Sequence, residues 1–327
     1  MPSLVNSDAC NISARRTHSR HLAMSNKTHE DVTILGIEHH LAVDPESLNE
    51  AGVVWTPAVR ALASAVAPIV EARQASHSLA ASSSDADGTA GPRSAPMRVL
   101  ELGAGTGALG IALACSLPNI HVTLTDLAPV VPLMRENADA TRDAGKLADG
   151  SETHVAELAW SRDAVLALNG GGDASSGVGG TEGSTHGGRD TSASRSTRWD
   201  LVLGCEILYW GGWDVFADDT RGPLLEACIA ACEVGGAEGA DTAVLSPPTL
   251  VVLAFTVRDQ GRESGFVSKD FGEKFWLRLL DGGADVCVCG DEDEETLSRM
   301  DAEARARTDA AEEGDLLVLG AVAKRSK

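Results

Sequence analysis

The stretch VLELGAGTGALGIALA, Val99 to Ala114, decides the fold. It begins as a short apolar run, as expected of a strand covered on both faces. Gly103, Gly105 and Gly107 then alternate, and a helical pattern follows from near Gly107. Glycines between a strand and a helix permit a tight turn and let the backbone approach a ligand closely. On either side of this stretch, MRVLELG, ALGIALACSL, HVTLTDL, VVPLMRENADATRDA, THVAEL, WDLVLGCEILYW, PLLEACIAACE and TLVVLAFTV alternate between strand and helix patterns, with KFWLRLL continuing the helical side. ADVCVC and DLLVLGAVAK are two further strand-like runs. The acidic connector between them, GDEDEETLSRMDAEARARTDAAEEG, can be read as a helix or as a solvated loop, and its charge favours the loop. This rhythm is that of an α/β, doubly wound parallel sheet.

Two segments are too polar to offset the entropy of ordering, SHSLAASSSDADGTAGPRSAP at 76–96 and the Gly/Ser-rich 169–197. The expected organisation is a disordered tail at 1–30, then one domain over 31–327 carrying those two insertions. The tail holds Arg15, Arg16, Arg20 and Lys27 against a single acid, Asp8, a bias shared with organelle transit peptides, although no amphipathic repeat is visible in it.

Of the 327 residues, 43% are hydrophobic, enough for a core, and no run approaches the roughly 18 apolar residues that span a bilayer. The net charge of −21 opposes binding to nucleic acid and suits a cationic partner. The seven cysteines, Cys10, Cys115, Cys205, Cys228, Cys232, Cys287 and Cys289, form no CxxC pair, so they read as reduced thiols and no metal is expected.

The glycine loop alone fits either a dinucleotide or S-adenosylmethionine, since Gly103, Gly105 and Ala108 also spell GxGxxA. Glu101, two residues before Gly103, favours the second, because a carboxylate there would repel a pyrophosphate but suit the ammonium of a methionine moiety. Asp126 ends the next strand, where an acid can accept both hydrogen bonds of a ribose diol; its alternative role is to cap the following helix. Further on, LGCEILYWGG (Leu203 to Gly212) places the chain's only tyrosine three residues after an acid, at the end of a buried strand. A buried acid is costly unless something cationic meets it.

On these residues, and on GVVWTPAVRALASAV, VAELAW and VLAFTVRDQGRESGFVSKDFGEKFW in the same order, the chain from about Val32 to Lys324 resembles the class I seven-strand methyltransferases, and within them the protein-lysine methyltransferases of the methyltransferase-like 21 type. The resemblance implies a Rossmann-like seven-stranded sheet, mostly parallel, with an antiparallel C-terminal strand. It implies S-adenosyl-L-methionine as cofactor, bound by Trp55, Glu101, Gly103, Gly105, Gly107, Asp126, Trp160 and Cys205. It implies that Glu206 and Tyr209 are the catalytic pair lining the channel where the target amine meets the methyl donor. Relatives often carry a polar residue where this chain has Ala159, so any contact made by that side chain is lost here. Trp210 and Trp213 flank the GG pair just beyond the motif, with no role implied. The resulting expectation is a monomeric cytoplasmic or nuclear enzyme acting on a lysine of a protein substrate, with no nucleic acid and no membrane involved. Alternatives are a histidine or small-molecule acceptor, a nicotinamide-dependent oxidoreductase, and a non-catalytic cofactor-binding scaffold. The oxidoreductase would need a Tyr-x-x-x-Lys or a comparable His and acid arrangement, and Tyr209 is followed by WGGW with no lysine at that spacing.

Overall fold

A two-residue turn opens the described chain. Leu35 and Gly36 sit at φ 50° and 77°, the left-handed pair a tight hairpin needs, and join β1 (Thr28–Ile34) to β2 (Ile37–Val43) in antiparallel register. This computed structural model describes residues 27–47, 51–82, 95–170, 199–208, 220–233, 247–280 and 293–324. After the hairpin, α1 (Thr56–Ser82) runs on into the stretch read above as loop from Ser76. The strands and helices then alternate as β3 (Met97–Leu102), α2 (Ala108–Ser116), β4 (Ile120–Asp126), α3 (Val131–Asp143), β5 (Glu152–Glu157), α4 (Arg162–Gly170), β6 (Leu201–Cys205), α5 (Arg221–Cys232) and β7 (Leu250–Thr256). Next come α6 (Gln260–Gly265), a π-helical segment at Phe266–Phe271, α7 (Gly272–Lys274), β8 (Phe275–Leu279), α8 (Glu294–Ala310) and β9 (Leu316–Ala323).

The seven strands from β3 onward form one sheet in the order β5-β4-β3-β6-β7-β9-β8. Every described pairing is parallel except those of β9, which runs antiparallel to both β7 and β8. The Rossmann-like sheet with an antiparallel C-terminal strand is therefore observed. Two expectations change at its far edge. KFWLRLL, read as continuing the helical side, supplies strand β8, whereas ADVCVC lies outside the described residues. The acidic connector, read as a solvated loop, contains helix α8: Asp293 caps it by accepting from the Thr296 N–H (2.7 Å), Glu294 and Glu295 occupy its first turn, and Arg307 its last.

Apolar layers cover both faces of the sheet. One layer packs the hairpin, α1, α2 and α3 against it; the other packs α4, α5, α8 and the phenylalanines Phe266, Phe271 and Phe275. The pleat of β3 follows from this. Leu100 and Leu102 face the second layer, while Val99 and Glu101 face α2. No helix among the described residues is long and apolar enough to cross a membrane.

Candidate active site

Parallel strands ending at one level create a ligand-binding edge. Leu102 of β3 pairs with Thr125 of β4 and with Gly204 of β6, so Asp126, the glycine loop, Cys205 and Glu206 emerge side by side. They line a cavity of about 360 Å³ together with Trp55, Trp160 and Arg258.

The glycine loop is held open by its backbone. Gly103, Gly105 and Gly107 all have positive φ, 65°, 57° and 79°. At Gly105 a side chain would also collide, since a Cβ there would lie 2.5 Å from the carbonyl oxygen of Ala51. The segment before α1 thus rests on the loop and forms the cavity's outer wall, carrying Trp55 with it.

Asp126 fixes the same loop. Its Oδ2 accepts from the Gly105 N–H (2.8 Å) and its Oδ1 from the Leu127 N–H (2.7 Å). It does not cap α3, whose N-cap position is Val130 without a side-chain cap. Burial raises its pKa, and the two N–H donors oppose that rise. Trp160 follows β5 and approaches the loop, its Cζ2 lying 3.4 Å from where a Cβ of Gly103 would be.

Glu101 lies deepest. It is 2% exposed, and its Oε2 accepts from the N–H of Gly110 in α2 (2.9 Å). Its pKa is pushed up to about 8, chiefly by burial, with the nearby Asp126 adding to the rise and the Gly110 bond opposing it. Burial likewise pushes the Cys205 thiol well above its ordinary value, helped by the charges of Glu101 and Glu206. Cys205 is therefore a neutral, weakly polar piece of wall rather than a nucleophile.

Glu206 leaves β6 in the left-handed region, φ 57°, unusual for a residue with a side chain and a strain of about 1–2 kcal/mol. This turn directs its carboxylate onto β7, where Oε1 accepts from the hydroxyl (2.7 Å) and N–H (3.1 Å) of Thr256. Oε2 lies 2.7 Å from Nη2 of Arg258 as an ion pair, yet that contact is not aligned as a hydrogen bond, and Oε2 accepts none. The side chain is 3% exposed, so a carboxylate already paired with an arginine is buried among the residues that line the cavity. Arg258 was not singled out from the sequence. The signal that could have found it is its place just past the carboxyl end of the strand beside β6. Tyr209, Trp210 and Trp213 lie outside the described residues.

The cavity fits S-adenosylmethionine on its chemistry. A loop without side chains allows close backbone approach, a flat indole suits a base, Asp126 offers acceptors for a diol, and the uncompensated burial of Glu101 calls for a cation. Among the described residues, His121, Glu152 and His154 group their ligand atoms within 4.8 Å, but at the amino ends of β4 and β5, away from this cavity.

Residues 40–169 match a family model described as lysine methyltransferase. A 55-residue stretch, 16% of this chain, is 46% identical to the release factor glutamine methyltransferase of Deinococcus radiodurans, and covers 20% of that protein. Solved structures with a detectable likeness include a transferase of Pyrococcus horikoshii (TM-score 0.37, 11% identity, 91% of this chain and 73% of that one) and the CurJ carbon methyltransferase (TM-score 0.32, 14% identity, 72% and 50%). The sheet, the glycine loop and the match over residues 40–169 are what the chain shares with S-adenosylmethionine-dependent methyltransferases, and the chain spans only a fifth of the curated relative it matches.

Proposed function

We propose that the chain is a class I methyltransferase and, within that class, a protein-lysine N-methyltransferase, carrying the methyl group of S-adenosylmethionine to the ε-amine of a lysine on a protein partner. The observation that carries the reading is Glu206, a buried acid beside the cofactor-type cavity whose Oε2 accepts no hydrogen bond. The match of residues 40–169 to the lysine methyltransferase family supports the same acceptor class. The net charge of −21 suits a basic protein segment. The working form in this reading is a monomer in the cytoplasm or nucleus; localising the full chain tests this, and accumulation in an organelle would make the N-terminal segment an address instead.

The bound cofactor supplies an electrophilic methyl on a sulfonium. The chain has to hold the amine in line with it and exclude water. Glu101 and the glycine loop hold the methionine end, Asp126 the ribose, and Trp160 and Trp55 wall the cavity. In this reading the Glu206 carboxylate, held by Thr256 and Arg258, orients the incoming amine. Tyr209, which lies outside the described residues, is the second residue that the resemblance assigns to the amine, with a ring and a hydroxyl as its chemistry. A free lysine has a pKa near ~10.4 and reacts only when neutral, so desolvation in the closed cavity and the adjacent sulfonium must lower it.

The test is calorimetric titration with S-adenosylmethionine alongside labelled methyl transfer into a lysate, with the modified residue mapped by mass spectrometry. Methyl-lysine in a discrete protein is expected. Glu206→Ala should lower transfer by about a hundredfold or more while leaving cofactor affinity near wild type. Label on glutamine, histidine or a small molecule would replace the lysine reading, and undiminished transfer in Glu206→Ala would remove Glu206 from the site.

A further inference from the structure

A carboxylate beside a reacting amine carries an inherent conflict. It orients the amine, but it also stabilises the ammonium, which has no lone pair to attack with. The fold places an answer next to Glu206. Arg258, two residues past the end of β7, sets its guanidinium against Oε2 and over the Trp55 ring, with Cζ 5.0 Å from the centroid. The two charged side chains are 25% and 3% exposed, so the contact is only weakly screened by solvent. The backbone below is fixed as well: the N–H groups of Arg258 (2.5 Å) and Asp259 (3.1 Å) both donate to the buried carboxylate of Glu263.

We propose that Arg258 is a positioning residue for methyl transfer, neutralising Glu206 so that the acid orients the acceptor amine without retaining its proton. The proposal rests on the amine-acceptor reading above. The other charged groups facing this corner are otherwise engaged among the described residues. Glu101 on β3 bonds α2, Asp126 on β4 accepts two backbone N–H groups, and Glu263 on α6 holds the Arg258 backbone. With Glu206 balanced, the lysine sheds its proton to solvent. The amine lone pair then forms the N–C bond as the S–C bond breaks, the bonding pair stays on sulfur, and the positive charge passes from sulfur to nitrogen.

Two cofactor analogues test this without any knowledge of the acceptor. Sinefungin bears an amine at the position of the transferred methyl, and S-adenosylhomocysteine has no charge there. Both are titrated calorimetrically at pH 7 into wild type, Arg258→Met, Arg258→Lys and Glu206→Gln. The preference for sinefungin over S-adenosylhomocysteine should rise about tenfold or more in Arg258→Met, because an unbalanced carboxylate now meets the cation. It should return towards wild type in Arg258→Lys and fall below wild type in Glu206→Gln. A purely structural role for Arg258 would weaken both ligands alike. An unchanged preference in Arg258→Met overturns the proposal; if that variant does not fold, an unchanged preference in Glu206→Gln does so. Failure of the lysine reading would show separately, as absence of methyl-lysine in the wild-type labelling experiment.

Discussion

Replacing Glu101 by glutamine separates the cost of this acid from its use. Its pKa of about 8 in the folded chain stands against an ordinary value of 4.5. At pH 7 the folded protein keeps it neutral by about ten to one, whereas the unfolded chain has it ionised. The native state thus binds more protons across this window, so the contribution of Glu101 to stability is fully present below about pH 4.5 and is lost as pH rises through about 8. By pH 7 the loss amounts to ~3 kcal/mol. Glutamine keeps an acceptor for the Gly110 N–H and has nothing to ionise. Glu101→Gln should therefore be more stable than wild type by up to ~3 kcal/mol at pH 7 in urea unfolding, with the gap closing towards pH 4.5. Its cofactor affinity should fall at least about tenfold, since the ammonium of the methionine moiety loses its anion. Where Glu101 holds that ammonium as proposed, the ammonium draws it into its ionised form, so binding at pH 7 should release close to one proton. Calorimetry in phosphate and in Tris reads this as a binding enthalpy that depends on the buffer, a dependence that Glu101→Gln should lack. Wild-type enthalpies identical in both buffers, or a stability gap that does not change with pH, would refute the reasoning.

Other substitutions test the rest of the frame. Gly105→Ala forces a side chain into the left-handed region and against the Ala51 carbonyl, so cofactor binding should fall below detection in calorimetry and stability should drop by ~2 kcal/mol. Asp301→Ala tests α8. The Asp301 carboxylate accepts from the Leu277 N–H of β8 (3.1 Å) and pairs with Arg305 (3.0 Å) and Lys324 (3.6 Å), while Arg305 also donates to the carbonyls of Ser268 and Gly272. Its loss should lower the urea midpoint by the equivalent of ~2–3 kcal/mol with cofactor affinity unchanged.

What could be read from the sequence was local, and what could not depended on distant partners. The β3 strand, the glycine loop and α2 declare themselves because each is set by neighbouring residues. Glu206 was legible because an acid at the end of an apolar strand demands a cation, but which cation was not, since Arg258 reaches it from the next strand of the sheet. Helix α8 was misread because its buried stripe consists of Asp301, Ala304 and Thr308, spaced three and four apart as a helix requires yet nearly invisible to a search for apolar periodicity. Its capping signal, Asp293 followed three residues later by Thr296, was present in the letters. Strand β8 alternates in its own way: Phe275 and Leu277 turn inward, while Trp276 lies under the Lys324 ammonium at 4.2 Å, so three apolar residues in a row imitated a helix face.

The two buried acids of the cavity meet the same electrostatic problem in different ways, and the difference fits the roles proposed for each. Glu101 and Glu206 sit at the ends of adjacent strands and both act on the thiol of Cys205 between them. Two bare carboxylates in so dry a corner would be prohibitively costly. Glu101 keeps its proton, a state that one incoming cation can reverse, which suits a group whose partner arrives already charged. Glu206 takes an internal guanidinium instead, which suits a group whose partner must arrive charged and react neutral. Exchanging the two solutions would fail at both ends: an arginine beside Glu101 would compete with the cofactor's ammonium, and a protonated Glu206 would donate to the very lone pair that has to attack.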